Sequence, residues 1–394
     1  MLGVDQAVSA LLEQARPLVQ AEAVPLTGAL GRILAEDIVA GIDVPPADNS
    51  AMDGYAFQHD DWPGEAAALP LSLRIPAGID PEPLPAGTAA RIFTGAHIPP
   101  GADTVVMQEH CTASARDVVI GRCPDRGANI RPRGQDITAG DRVMRAGRRF
   151  DAQGLGLLAS LGLAEVPAYR RLRVAVISNG SELIEPGEIA AAGQIYNSNR
   201  YMLAGLLWDW GFEVQDMGIA PDEPAAIGEL LQSAASAADV IVSSGGVSVG
   251  EEDHIKNVVA DLGAIDLWKV AIKPGKPFAF GRVSETPFIG LPGNPSSVLV
   301  TALIMARPYL FACQGRDDGR VIPVKKVAKF ALAGSPRQTY LRAKSTPDGV
   351  ECHPRQSSGV LMSAVWGDGL VVQAPGQDIE KGEEIDFLPY AFLS

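Results

Sequence analysis

From Leu172 to Phe311 the chain alternates short apolar runs with amphipathic stretches, and this alternation restricts the fold more than any other feature. Val174-Ala175-Val176-Ile177 and Val240-Ile241-Val242 are continuous apolar runs, the pattern of strands covered on both faces. Between them, Asn199–Trp210 and Pro224–Ala237 carry helical spacing, the first closed by Gly211 as a C-terminal cap. Strand–helix alternation at this spacing predicts right-handed crossovers and a mostly parallel sheet in a central three-layer α/β domain. Phe212-Glu213-Val214 opens one further strand and Trp268–Ile272 forms another. Phe278–Phe280, Pro287–Ile289 and a helix from Ser296 to Phe311 complete the region.

In an open sheet of this kind, ligands bind beyond the carboxyl ends of the strands. Five polar segments fall there: Ser178–Glu182, Asp222, Ser243–Asp253, Lys273-Pro274-Gly275-Lys276-Pro277 and Leu291–Ser297. In Ser243-Ser244-Gly245-Gly246 the glycine pair lets the backbone turn sharply and approach a ligand closely. Glu251-Glu252-Asp253 then leads into a helix marked by Ile255, Val258, Val259 and Leu262; of the three acids Asp253 is the candidate, the others being solvated. Gly275-Lys276 is followed by Pro, and Gly245, Gly246 and Gly250 do not space as G-x-G-x-x-G, which disfavours P-loop and nicotinamide enzymes. Lys273 and Lys276 are point charges beside prolines, and the glycine turns offer backbone N–H groups. Glu182, Asp222 and Asp253 suit Mg²⁺, which takes one or two carboxylates together with substrate phosphates. Singly, each acid is also an ordinary helix cap and each lysine a solvated loop charge. Together on one edge they favour a phosphoanhydride.

The flanks have a different character. Val4 to Val19 predicts a helix with Pro17 near its end, and Pro25–Ala35 a turn and short helix. Val44-Pro45-Pro46 delivers Asp48–Ala56, where Gly54 directly after Asp53 places that carboxylate on a tight turn; an Asx-rich loop is the alternative. Residues 57–134 are β- and loop-rich, and after Gly315 short strand candidates joined by polar turns predict a small β-barrel or sandwich. The expected organisation is an N-terminal linking domain of 1–44 with 135–170, an inserted β-rich lobe of 45–134, the α/β domain of 171–314, and a C-terminal β domain of 315–394.

A net charge of −14 argues against general nucleic-acid binding, although residues 116–149 hold nine arginines against four acids. That belt could face an anion or a partner subunit. Cys111, Cys123, Cys313 and Cys352 show no C-x-x-C spacing, and the five histidines have no neighbours at ligand spacing. Reduced thiols, no basic-then-apolar leader, and a longest apolar helix candidate of only Val298–Ala306 fit a cytoplasmic protein with no membrane span.

Six strings in order, Asp48–Ala56, Thr94-Gly95-Ala96, Val105–Glu109, Ser243–Asp253, Lys269–Gly281 and Gly290–Ser297, identify a resemblance to the molybdopterin molybdenumtransferases. These are MoeA-like proteins, related to the C-terminal domain of gephyrin. The resemblance implies that adenylylated molybdopterin and molybdate give molybdenum cofactor and AMP, assisted by Mg²⁺. It implies a homodimer with the active cleft shared between subunits, and transient contact with a molybdopterin adenylyltransferase. Carried over residue by residue, the catalytic set is Asp53, Thr94, Asp136, Glu182, Asp222 and Asp253, with Glu182, Asp222 and Asp253 on the metal. Lys269, Lys273, Lys276 and Ser297 serve the anion, Gly245, Gly246 and Ser248 the substrate, and Arg342 with Ser358 form a C-terminal anion-binding pair. One departure stands out: Asn179-Gly180-Ser181-Glu182 replaces the family's usual Thr-Gly-Asp-Glu, exchanging one carboxylate and one hydroxyl. A gephyrin-like scaffold is a second function class, disfavoured by the lack of an extra α/β domain and low-complexity linker. A tungstate-inserting paralogue is a third.

Overall fold

The computed structural model describes residues 1–247 and 254–393, and the chain divides into two compact units. One comprises Met1–Glu36, Ala146–Asp151 and Glu165–Ser394; the other comprises Asp37–Arg145 and Ala152–Ala164. The architecture is multidomain, α/β plus β.

The first unit is built on strands β1 (Arg173–Asn179), β2 (Glu213–Ala220), β3 (Val240–Ser244), β4 (Gly263–Lys269), β6 (Pro277–Val283) and β7 (Thr286–Leu291), ordered β2-β1-β3-β7-β6-β4. The first four in that order are parallel; β6 pairs antiparallel with β7, and β4 antiparallel with β6, so β4 runs in the direction of the first four. The expected Trp268–Ile272 strand is corrected. The chain ends β4 at Lys269, and Ile272–Lys273 (β5) leaves this sheet altogether. The connection from Val270 to Lys276 is too short for the crossover that a parallel pair needs, so β4 and β6 pair antiparallel.

Alternate residues of the buried strands feed two cores. Val174, Val176, Val240 and Val242 pack with the N-terminal helix, with α1 (Ser198–Asp209) and with the helix beginning at Pro295. Ala175, Ile177 and Ile241 point the other way, onto α2 (Pro224–Ala237) and α3 (Ile255–Leu262). Each fully buried valine or isoleucine is worth about 1.5–3 kcal/mol, so the period-two pattern fixes both faces of the sheet.

One helix is shorter than expected, and one apolar stretch is longer. The N-terminal helix spans Val4–Leu12 and stops well before Val19, because Pro17 lacks the N–H and disfavours helical geometry at the residue before it. The helix expected over Ser296–Phe311 is observed as Pro295–Cys313, 19 residues; it is apolar well beyond Val298–Ala306 and long enough to cross a membrane, but 89% of its apolar window is buried within the protein. Its middle, Ala302–Ala306, is π-helical, followed closely by Pro308, which has no N–H to give to the turn before it.

β8 (Val324–Val327), β9 (Gln338–Thr346), β10 (Gly349–Cys352), β11 (Gly369–Gln373) and β12 (Glu384–Pro389) form the C-terminal sheet, ordered β5-β9-β11-β12-β8 with β10 also on β9. Leu341, Val371, Ile385 and Phe387 fill its core. A single-turn helix, Met362–Trp366, was not foreseen, since five residues carry no readable period.

The second unit holds a six-stranded sheet in the order Thr104–Met107, Gly54–Phe57, Ala89–Ile92, Ala68–Ile75, Asp117–Ile120, Cys111–Ala113. Much of the arginine belt is consumed by ion pairs: Arg126 with Asp60 and Asp103, Arg133 with Asp43, and Arg142 with Asp37.

Candidate functional site

Sheet order alone locates a crevice. From β1 the chain passes through α1 to β2 on one side, then through α2 back across to β3 on the other. α1 and α2 pack on opposite faces, so the strand order reverses between β1 and β3, where open α/β sheets bind ligands. A cavity of about 770 Å³ lies at this edge, lined by Gly180, Ser244, Gly245 and Gly246 among others. The glycine pair is required there. Gly245 and Gly246 have φ of +87° and +68°, and added Cβ atoms would stand 2.5 Å from Asn179 O and 2.4 Å from Asn179 Oδ1.

The charges around the cavity follow the strand order. Asp222 follows β2 and Glu182 follows β1, so both acids lie at one end. The Gly245 turn after β3 and the Pro292–Ser297 segment after β7 occupy the middle. Lys276 precedes β6, whose antiparallel direction brings its start to this same edge, and Lys273 lies on β5. The lysines therefore stand at the end away from the acids. The Lys273–Pro274 peptide is cis.

The departure at Asn179–Glu182 has a clear local role. The Ser181 N–H donates to Asp222 Oδ2 at 2.8 Å, and the Asp222 N–H donates to Ser181 Oγ at 3.3 Å. The Ser181 backbone N–H thus holds the Asp222 carboxylate, while its hydroxyl holds the Asp222 backbone. Asn179 Nδ2 donates to Ala220 O at 3.2 Å, tying the ends of β1 and β2 together.

Glu182, Asp222, Gly245, Gly246, Lys273, Lys276, Ser297 and Ser358 thus line one cavity. Lys269 ends β4 opposite Pro277 and does not line it. Arg342 does not line it either: only 1% exposed, its guanidinium donates to Ser363 Oγ at 3.0 Å and Ser357 O at 3.2 Å, bracing the loop that carries Ser357 and Ser358. Burial holds that guanidinium below the usual arginine value. Asp253 and Ser248 lie outside the described residues. In the second unit, Thr94 donates to Asp53 Oδ1 through both its N–H and its hydroxyl, each at 2.8 Å. These two bonds, the backbone one first, hold the Asp53 carboxyl below the usual range, with a smaller contribution from Arg91. Asp136 is exposed, with its N–H on Val44 O.

Sequence reasoning passed over Arg337, which lines the cavity and donates to Ile272 O at 3.1 Å, directly beside Lys273. It also passed over Asn197 and Asn199. Asn197 was detectable as the N-cap of α1, its side chain accepting from the Arg200 N–H; Arg337, in an irregular stretch, gave no signal. Among the described residues no group of three His, Cys, Asp or Glu side chains gathers at metal-binding distance. All four cysteines are unpaired.

Comparison with known proteins adds independent findings. The MoeA N-terminal region (domain I and II) matches residues 2–162, a probable molybdopterin binding domain matches 175–312, and the MoeA C-terminal region (domain IV) matches 326–390. A molybdopterin molybdenumtransferase of Haemophilus influenzae is 44% identical over 82% of this chain and 80% of its own length. One of a Nostoc species is 41% identical over 92% of this chain and 87% of its own. The crystal structure of a molybdopterin biosynthesis MoeA protein from Pyrococcus horikosii aligns at TM-score 0.84 and 31% identity, covering 99% of both chains.

Proposed function

We propose that this chain, which belongs to the MoeA family of molybdopterin molybdenumtransferases, uses its strand-edge cavity to bring molybdate against adenylylated molybdopterin. It is a transferase of molybdenum cofactor biosynthesis. The reaction we assign gives molybdenum cofactor and AMP. The observation that carries this reading is the ordering of charge along the sheet edge, acids at one end and lysines at the other.

Molybdate is a tetrahedral dianion, and Lys273 and Lys276 would hold it by charge-assisted hydrogen bonds. Arg337 adds a third cation, and Lys269 adds positive charge from the neighbouring strand. Ser297 and Ser358 offer hydroxyls, and Arg342 acts by fixing the loop behind Ser358. A molybdate oxygen is the attacking atom, so no protein nucleophile is called for.

At the acidic end the donor set fits Mg²⁺: two carboxylates on adjacent strand ends, with room for phosphate oxygens beside them. Asp222 Oδ2 is engaged by Ser181, and the Glu182 carboxylate folds over Gly180, where a Cβ would stand 2.5 Å from Oε2. Glu182 and Asp222 would hold the ion, joined in this reading by Asp253. When bound, Mg²⁺ supplies neutralisation of the charge that develops on the phosphates. Asp53, Thr94 and Asp136 complete the reading, in a homodimer whose cleft is shared between subunits. A molybdopterin adenylyltransferase supplies the substrate, in a cytoplasmic setting.

The test is AMP release from adenylylated molybdopterin with and without molybdate. Release at the protein-free rate would end the proposal. Tungstate competition distinguishes a tungstate-inserting variant, and single turnover by Asp253→Asn at wild-type rate would remove that carboxylate from the mechanism.

A further inference from the structure

Three polar atoms in residues lining the cavity are buried with no hydrogen-bond partner among the described residues: Asn197 Nδ2, Asn199 Oδ1 and Ser244 Oγ. Neighbouring bonds fix which end of each amide is which. Asn197 Oδ1 accepts from the Arg200 N–H at 3.3 Å and from Ser178 Oγ at 3.2 Å, so its nitrogen is the unpaired end. Asn199 Nδ2 donates to Gly293 O at 2.8 Å, leaving its oxygen. Asn197 and Ser244 are 1% and 2% exposed, and buried polar atoms of this kind are ordinarily satisfied. The wall therefore holds one donor, one acceptor and one hydroxyl without a partner among the described residues. An oxyanion, which only accepts, would leave Asn199 Oδ1 unpaired.

Immediately before these residues, Ile195 and Tyr196 line the same cavity with 56% and 49% of their surfaces exposed. The Tyr196 hydroxyl donates to Glu188 O at 3.0 Å, which ties down one end of its ring. An exposed aromatic face beside an unsatisfied donor–acceptor edge matches a planar nitrogen heterocycle, held by stacking and by its edge at once.

We infer that Ile195–Asn199, together with Ser244, is the recognition wall for a fused nitrogen heterocycle. Its face lies on Tyr196, and its N–H and acceptor edge on Asn197, Asn199 and Ser244. The inference rests on the cavity handling an adenylylated pterin, since both the purine and the pterin ring present such an edge.

The experiment titrates the full chain calorimetrically with AMP and, separately, with 6-carboxypterin, with molybdate as a third ligand. Tyr196→Ala, Asn199→Ala and Ser244→Ala are each expected to weaken one heterocycle about tenfold. Molybdate affinity should stay at the wild-type value, and Tyr196→Phe, which keeps the ring, should bind like wild type. The probe that weakens identifies the ring. Asn199→Ala also removes the Gly293 bond, so Tyr196→Ala and Ser244→Ala must agree with it. Wild-type affinity for both probes in those two variants would mean that water alone serves the wall, and would overturn the inference while leaving the proposed function standing. A wild-type chain that binds neither probe would overturn both.

Discussion

Replacing Gly245 by alanine would disturb the cavity without altering its charges. At φ +87° the added Cβ stands 2.5 Å from the carbonyl oxygen of Asn179, the last residue of β1. That oxygen cannot swing aside, because Ser178 is in register with Ser244 on β3 and Asn179 with Ala220 on β2. Reaching an ordinary contact of 3.4 Å requires the turn to open by 0.9 Å, the difference 3.4 − 2.5. The left-handed backbone costs about 1–2 kcal/mol and the forced opening about 1–3 kcal/mol, for a total of roughly 2–5 kcal/mol. Gly376→Ala is the comparison: its φ is +75° and nothing lies within 4 Å, so it should lose only the backbone share. Urea unfolding of both variants at matched slope separates the clash from the strain. A shift of this size at a reacting centre also costs on the order of 100-fold in rate, which molybdate-dependent AMP release would register. Equal destabilisation in the two variants, or full activity in Gly245→Ala, would refute the argument.

Asp239 accepts from Arg170 at 2.7 and 2.9 Å and from the Arg173 N–H at 2.8 Å, at the end of the sheet away from the cavity, so Asp239→Asn should cost roughly 2–4 kcal/mol in urea unfolding. Burial pushes the Asp239 carboxyl up, but these arginine bonds outweigh it and hold it below the usual range. Its contribution is therefore present above about pH 4, the unfolded value, and is lost as pH falls through the folded one; Asp239→Asn should flatten that limb of the stability curve. Lys273→Ala and Lys276→Ala should each raise the molybdate KM about tenfold with a weaker salt dependence, and an unchanged KM would remove that lysine from the anion site. Burial pushes the Cys313 and Cys352 thiols up to about 11, so iodoacetamide at pH 8 should label them quickly only in urea. Fast labelling of Cys313 in the native protein would contradict that burial.

The parallel strands and the segments at their ends were legible because a strand buried on both faces leaves a continuous apolar run, and glycines with forced φ leave a gap in it. Glu182 and Asp222 could be placed on one edge from strand direction alone; Lys273 and Lys276 were expected on the same edge, and Lys273 reaches it through the C-terminal sheet. The path of residues 268–273 was not legible, because Val270 and Ile272 suit either sheet and only the short connection selects between them. Arg337 and Asn199 escaped notice for a related reason. Their importance arises from partners distant in sequence, Ile272 and Gly293, and a side chain read in its own neighbourhood carries no trace of them. Arg342 shows the opposite case, an arginine picked out by the family resemblance that spends its donors on holding a loop.

β5 is only two residues long, yet it makes Lys273 a passenger of the C-terminal sheet, with Ile272 in register with Gln338 and Lys273 with Thr339. Lys273 is thus mounted on a different sheet from the acidic end, while Lys276 stays at the start of β6. The distance from Lys273 to the acids is set by how two sheets are stacked and not by either one alone. Core substitutions at Leu341 or Val371, remote from every charge in the site, would then retune that distance. The α/β region expressed without residues 315–394 would keep its carboxylates while losing the support that aims Lys273.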